Sequence, residues 1–500
     1  MNMLDFAPLY SSAAIREIEG RAQRDIARGR PGLMERAGLA AAELARELAG
    51  NGKRILVVAG PGNNGGDALV AARHLKSWWF DVDLVLLGDP AKFPPDAAAA
   101  WEAWTETGGT ALGAIPEHRS WCLVIDGLFG IGLGRNLGGV YLEGVRHINR
   151  LKLPTLALDV PSGLDADTGQ LFGAAVRASH TLTFIALKPG LLTANGPDYC
   201  GDIQVANLEL DAQELALSQG KLLDERIANA FPQRPRNSHK GLLGSVAILG
   251  GAGSMVGATI LAGRAALKCG AGLVYVATLD EALPFDPVQP ELMFCTPAQL
   301  RDKEKLTCLV IGPGLGQSAS ALEHLGWALQ ADIPLVLDAD ALNLVAANGN
   351  LQIQAQQRIA ATLLTPHPAE AGRLLGTDSH DIQQDRVAAA LQLAERYHSL
   401  VVLKGAGSII ATPDGHWFVN PTGNPGMSSA GMGDALAGII AALIAQHVPA
   451  EKALLLGVYL HGAAADRLVA QGCGPLGLTA SEVIDMARQR LNNWIYPKGE

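Results

Sequence analysis

An excess of positive charge is what this chain of 500 residues most plainly lacks: 39 basic side chains stand against 49 acidic ones, a formal net charge of -10. Such a balance holds no general attraction for a phosphate backbone or an anionic lipid surface, so neither nucleic acid nor membrane is expected as a partner. Cysteine is scarce and scattered. Cys122, Cys200, Cys269, Cys295, Cys308 and Cys473 include no C-x-x-C pair, which argues against a zinc site or a disulfide framework and for a reducing, cytoplasmic setting. The most apolar stretch, Leu436 to Val448, is shorter than the roughly 20 residues needed to cross a bilayer and reads as a buried helix. The N-terminal segment MNMLDFAPLYSSAAIREIEGRAQRDIARG has charges spread through it and no apolar centre, so it reads as an amphipathic helix rather than a secretory signal.

What is present is apolar material and glycine. The chain is 48% hydrophobic and 18% charged, with 58 glycines, enough for large cores with many tight turns and close backbone approaches. A single core stops growing near 250 to 300 residues by a rough rule, so two domains are expected. Short aliphatic runs alternate with alanine-rich helical patterns: RILVVAG, VDLVLLG, CLVIDGLFG, LPTLALDV and HTLTFIA in the first half, SVAILGG, GLVYVAT, CLVIGPG, PLVLDAD, ATLLTPH and LVVLKGAG in the second. That alternation predicts βαβ units around largely parallel sheets, an α/β class with ligands gathered at the carboxyl ends of the strands. Between the halves, Leu210 to Arg236 turns polar and no strand signal returns before Ser245. The boundary is set near Lys221, giving domains 1–220 and 221–500.

In the first domain, Gly60, Gly62 and Gly65 satisfy G-x-G-x-x-G between a strand and a helix. A tight crossover turn explains that spacing equally well; the adjacent amides Asn63 and Asn64 tip it towards a ligand, since a mere turn has no use for them. A second glycine-rich loop, Gly130-Ile131-Gly132-Leu133-Gly134-Arg135-Asn136, follows the strand ending at Asp126 and makes a candidate phosphate cradle. A third strand ends at Asp159, ahead of Ser162. Asn64, Asp126 and Ser162 are hard oxygen donors suited to a group I or II cation, although each aspartate could equally cap a helix.

In the second domain, Asn424-Pro425-Gly426-Met427-Ser428-Ser429-Ala430-Gly431-Met432-Gly433-Asp434 runs straight into an apolar helix. Unpaired N–H groups at such a helix start attract an anion. Asp434 could be only a cap, but Gly431 and Gly433 flank it, and Lys404-Gly405-Ala406-Gly407-Ser408 ends another strand with a cation and a pliable loop.

GPGNNGGD, DGLFGIGLGRN, LDVPSGLDADTG and TFIALKPGL resemble the epimerase domain of the NAD(P)H-hydrate repair enzymes, a Rossmann-like three-layer αβα fold. HKGLLGSVAILGG, LTPHPAEAGRLL, VVLKGAG and NPGMSSAGMGDALAG resemble the ribokinase-like αβα fold, and within it the ADP-dependent hydrate dehydratase. The first resemblance implies that Asn63, Asn64, Gly65, Gly66, Asp67, the loop Gly130 to Asn136, Tyr141 and Asp159 contact the hydrated NADH or NADPH, and that Asn64, Asp126 and Ser162 hold K+. For the epimerisation it implies, Asp159 is the candidate acid/base, with Lys188 as a second candidate whose alternative is plain solvation. The second implies that Ala258, Gly314, Leu315, His367 and Asp434 face the hydrate. It also implies that Lys404, Gly405, Ala406, Gly407, Ser408 and Gly433 bind ADP with Mg2+, with Glu370 a weak candidate ligand of that ion, and that Asp434 is the general base. The alternatives are a small-molecule kinase fused to a Rossmann-like module, which would consume ATP, and a nucleotide sensor without turnover. The large apolar helices lead to an expectation of a homo-oligomer.

Overall fold

The computed structural model describes residues 6–26, 31–218, 220–279 and 284–497. The chain divides into two compact units, one from Ala7 to Gly220 and one from Lys221 to Glu500 that also takes in Phe6. Phe6 is buried edge-on against Phe418, ring centroids 6.3 Å apart, a contact that no periodic pattern announces. The N-terminal amphipathic helix is present as α1 (Ser12–Ile26); the parts of that expectation on residues 1–5 and 27–30 lie outside the described residues.

In the first unit, β1 (Arg54–Ala59), β2 (Asp81–Leu86), β3 (Leu123–Gly127), β4 (Thr155–Leu158), β5 (His180–Phe184) and β6 (Asp202–Ala206) form a parallel sheet in the order β2-β1-β3-β4-β5-β6. Its strands read as unbroken apolar runs because both faces are covered. Ile55 and Val57 join one core with α2 (Leu33–Ala49) and α3 (Asn63–Ser77), while Leu56 and Val58 join another with α5 (Gly139–Leu151). After β1 the chain crosses to β2 on one side and returns as β3 on the other. The crevice at that reversal is where open α/β sheets bind ligands, and the loops after β1 and β3 form its walls.

The second unit repeats the plan. Its strands β7 (Ser245–Gly250), β8 (Leu273–Thr278), β9 (Met293–Cys295), β10 (Cys308–Ile311), β11 (Leu335–Leu337), β12 (Thr362–Leu364), β13 (Leu400–Leu403), β14 (Ser408–Ala411) and β15 (Trp417–Asn420) run in the order β15-β14-β13-β12-β11-β10-β7-β8-β9. The reversal falls between β7 and β10, where two glycine turns are hydrogen-bonded together: Gly251 N donates to Pro313 O at 3.0 Å and Ala252 N to Gly314 O at 2.7 Å. A Cβ on Gly250 would lie 2.1 Å from Pro313 O, so this glycine serves close packing.

Short elements escaped the sequence reading. The strand Gly220–Leu222 lies where no strand signal precedes Ser245, because three residues cannot display an alternation. β13, β14 and β15 form an antiparallel meander whose tight turn at Pro413-Asp414-Gly415 puts Gly415 at φ 87. The helices α6 (Val256–Lys268), α7 (Pro368–Leu375), α8 (Arg386–Tyr397), α9 (Met432–Ala445) and α10 (Ala450–Ala470) flank this sheet. By length and composition α10 is the one described helix able to cross a bilayer, with a mean hydropathy of 1.3, and 67% of that window is buried inside the fold. The sequence reading weighed only Leu436 to Val448.

α9 is buried almost throughout and lies on α6. A Cβ on Gly438 would fall 2.1 Å from Ala262 O, so Gly438→Ala must push the two helices apart. A loss of about 1–3 kcal/mol is expected, read as a lower denaturation midpoint of the second unit. An unchanged midpoint would show that the helices have room to spare.

Candidate active sites

The crevice of the first unit is assembled by glycines with separate tasks. A Cβ on Gly60 would strike Leu128 O at 1.9 Å and one on Gly65 would strike Gly60 O at 2.0 Å, whereas one on Gly62 meets nothing within 4 Å. The outer glycines of the fingerprint therefore let the chain fold back on itself, and Gly62 faces open space at the start of α3, where N–H groups are unpaired. Gly132 and Gly134 are also open, Arg135 and Asn136 are exposed, and Tyr141 lies edge-on to Phe129 at 5.0 Å between centroids.

Asp126 and Ser162 meet at the bottom of the crevice, both fully buried. The carboxylate of Asp126 accepts the Ser162 hydroxyl at 2.7 Å, Ser162 N at 2.9 Å and Leu128 N at 3.3 Å. Burial pushes its pKa up to about 6 against the pull of those bonds. Asn64, 8% exposed, has neither amide atom hydrogen-bonded. A buried amide without partners is costly, so this group points to an occupant the protein itself does not supply. Helix capping, the alternative for Asp126, is absent: its partners are loop N–H groups and a serine.

Asp159 follows β4 with φ 65 and is nearly buried. One carboxylate oxygen lies 2.7 Å from Lys188 Nζ, and the other accepts Ile131 N at 3.2 Å. Lys188 has no solvent exposure at all; its ammonium also reaches Thr183 Oγ1 at 2.8 Å and Phe184 O at 2.9 Å. The solvated-lysine alternative is thereby corrected: Lys188 follows β5, the strand beside β4, and the fold turns it inward. Gly130 is the hinge of the site. A Cβ there would lie 2.7 Å from Asp159 Oδ2 and 3.4 Å from Asn64 Cγ, so the acid/base candidate and the orphaned amide share one wall. Asp67, one turn along α3 from Asn64, is 9% exposed and its pKa is raised well above the usual range, by burial first and then by Asp159 and Glu19.

In the second unit the strand ends of β11, β12 and β13 and the start of α9 converge. Asp338, after β11, is 1% exposed; it accepts Thr365 Oγ1 at 2.7 Å and lies 3.0 Å from Lys404 Nζ. Burial opposes the charge on Lys404, but Asp338, Glu370 and Asp434 outweigh it and hold the ammonium above its ordinary pKa. Gly433 marks the meeting point: a Cβ there would sit 3.3 Å from Lys404 Nζ and 3.4 Å from Asp338 Oδ2. Asp434 does not cap the helix. The N-cap is Gly431, at φ 88 and without a side-chain bond, and Asp434 lies in the first turn. Burial, and then Asp338, raise its pKa to about 6, with Lys404 opposing.

His367 turns out to be a cap. Its Nδ1 accepts Ala369 N at 3.1 Å and Glu370 N at 3.4 Å, and Glu370 returns a bond to His367 N at 2.8 Å, a capping box opening α7. Burial lowers its pKa. Glu370, 5% exposed, also lies 4.0 Å from Lys404. Leu315 is fully buried; Gly314 beside it has φ 56, and Ala258 is half-buried in the first turn of α6. In the loop Lys404 to Ser408, Gly405 N donates to Ser408 Oγ at 3.2 Å, and a Cβ on Gly405 would lie 2.8 Å from the Arg386 guanidinium. Sequence reasoning missed Asp338, Thr365, Arg386 and Glu19. Only Asp338 left a signal, as the aspartate closing the apolar run PLVLDAD.

Residues 246–488 match the family model described as NAD(P)H-hydrate dehydratase, and residues 31–190 match that described as YjeF-related protein N-terminus. The bifunctional NAD(P)H-hydrate repair enzyme Nnr of Coxiella burnetii is 38% identical over 97% of this chain and 99% of its own length; that of Escherichia coli is 39% identical over 92% and 89%. Among solved structures, a ribokinase-like superfamily protein from Enterococcus faecalis is 28% identical over 57% of this chain and 99% of its own, with a TM-score of 0.50.

The carboxyl of Asp434 titrates near 6 rather than 3.8, so between those values the folded chain binds more protons than the unfolded one and this group's contribution to stability falls as pH rises. Asp434→Asn should flatten that part of the stability-against-pH curve, measured by denaturation from pH 3.5 to 7; an unaltered slope would place the carboxyl in water. Lys188→Met leaves Asp159 buried without its cation and should cost about 3–5 kcal/mol. Adding Asp159→Asn to it should recover part of that loss.

Proposed function

The chain belongs to the bifunctional NAD(P)H-hydrate repair enzymes, having an epimerase domain followed by a dehydratase domain, and from that premise we propose which residues carry each activity. The dehydratase reading rests above all on the convergence at Gly433, where an ammonium, a buried carboxylate and a raised aspartate meet at a helix start. Asp434 takes the proton from the hydroxyl that hydration added to the dihydronicotinamide ring. The freed oxygen attacks the terminal phosphoryl of ADP and AMP leaves. Loss of phosphate, with a proton from the adjacent ring carbon, then restores the double bond of NADH or NADPH. Lys404, with the loop Gly405, Ala406, Gly407 and Ser408, holds the nucleotide phosphates, and the N–H groups at Gly433 stabilise charge on the transferred phosphoryl. Ala258, Gly314 and Leu315 would line the hydrate side, and His367 shapes that wall through the α7 cap it forms.

Magnesium would neutralise charge on the ADP phosphates. Among the described residues no cluster of three or more His, Cys, Asp or Glu offers it a ready-made cage, and Asp338 and Glu370 are engaged by Lys404, Thr365 and the backbone of His367. The phosphates and water would then supply most of its ligands, as suits an ion that dehydrates reluctantly.

In the epimerase domain, 1–220, we assign Asp159 as the acid/base, acting from its pairing with Lys188. Asn63, Asn64, Gly65, Gly66 and Asp67, the loop Gly130, Ile131, Gly132, Leu133, Gly134, Arg135 and Asn136, and Tyr141 would hold the hydrate. The unpartnered amide of Asn64, the carboxylate of Asp126 and the hydroxyl of Ser162 suit K+, a large monovalent cation that accepts irregular oxygen sets. It would supply a fixed positive charge beside the hydrate's phosphates. The dehydratase domain is 221–500. The free thiols support a cytoplasmic setting, and exposed apolar side chains such as Ile359 and Leu476 support a homo-oligomer.

Incubating a mixture of hydrate epimers with ADP and following dihydronicotinamide absorbance tests this division. Asp434→Asn should slow recovery from both epimers by about 10²- to 10⁴-fold. Asp159→Asn should leave the S form repaired at the normal rate while the R form persists. Recovery of both epimers at full rate in Asp159→Asn would remove it as the acid/base, and ATP consumption with release of a stable phosphorylated product would indicate a kinase instead.

A further inference from the structure

The mechanism above leaves one titratable group at the epimerase crevice without a task. α1 lies across the carboxyl ends of the first sheet, and three of its residues at helical spacing, Ser12, Arg16 and Glu19, fall in one stripe. Ser12 N donates to Asp167 Oδ1 at 2.7 Å, in the loop after β4. Arg16 donates to Ile131 O at 2.8 Å, and Ile131 N in turn donates to Asp159. Ile15 and Ile18 bury the adjoining face of the helix in the core, and Ala22 is buried one turn further along it, which fixes its rotation. The stripe therefore carries Glu19, half-buried, one turn beyond Arg16 and towards the crevice.

We propose that Glu19 is the second proton-transfer residue of the epimerase site, the acid that partners Asp159. This rests on the reading of Asp159 given above. Glu19 lies within electrostatic reach of both Asp159 and Lys188, whose buried ammonium is 2.7 Å from Asp159. The Glu19 carboxyl is pushed up by burial first and then by the charge of Asp159, with Lys188 and Arg16 opposing. A carboxyl so placed beside a lysine-paired carboxylate can give a proton while its neighbour takes one. Asp67 is too enclosed to exchange its proton with solvent, whereas Glu19 is open enough to do so.

The step balances as a reversible ring opening. The hydroxyl proton passes to Asp159, the carbon–oxygen bond becomes a carbonyl as the carbon–nitrogen bond breaks, and the electron pair left on nitrogen takes the proton of Glu19. Rotation about the chain and closure on the other face of the carbonyl return both protons and invert the centre. No oxidant or further reactant enters.

The test uses the full chain without ADP, so that dehydration is silent, and follows conversion of the purified R hydrate to the S form by chromatography. Glu19→Gln should lower kcat for that conversion about 100-fold or more with KM within twofold, and Glu19→Asp should recover part of the rate. Glu17→Gln, on the exposed side of the same helix, should match the parent, as should ADP-dependent repair of the S hydrate by every variant. Epimerisation by Glu19→Gln at the parent rate overturns the proposal, and so does a loss confined to KM, which a merely structural Glu19 would give. If the parent chain itself does not interconvert the epimers, the epimerase reading fails and not this assignment alone.

Discussion

A lysine ammonium buried at the strand ends sets the terms on which each active centre is built. Lys188 has no exposure and Lys404 little, and neither could keep its charge there without a carboxylate in hydrogen-bonding range. Asp159 and Asp338 provide it, each from the end of a nearby parallel strand. The pairing then reaches further. Asp159, tied to Lys188 by one oxygen, holds the loop after β3 through Ile131 N with the other; Asp338, tied to Lys404, positions Thr365. In both units the ion pair at the strand ends also fastens the chain around the crevice.

Around these pairs, backbone clearance decides what can meet. Gly130 brings Asp159 and Asn64 to one wall, and Gly433 lets Lys404 and Asp338 reach the start of α9. A methyl group at either position would occupy the space where those charges converge. Other glycines of the same motifs have no such packing duty: Gly62, Gly132 and Gly134 face open space.

Much of the architecture was legible because parallel strands covered on both faces must be continuous apolar runs, and RILVVAG, CLVIDGLFG and PLVLDAD are such runs. The glycine-rich turns at the strand ends marked the two crevices for the same reason, since few residues tolerate those approaches. Legibility failed where a role depends on a partner remote in sequence. Lys188 looked like any lysine after a strand, yet it is enclosed by β4 and β5. Glu19 sat in a plain amphipathic pattern that records only which face of α1 is apolar.

The sequence by itself determined the α/β class, the two-part organisation and the loops that approach ligands, because apolar period and glycine placement are local properties of the chain. Only the tertiary structure decided which carboxyls burial pushes up, that the Asn64 amide is left unpaired, and that Asp434 stands inside its helix rather than capping it. Those outcomes depend on burial and on charges brought together across hundreds of residues, and a pKa or an orphaned polar atom exists only once the surrounding water has been excluded.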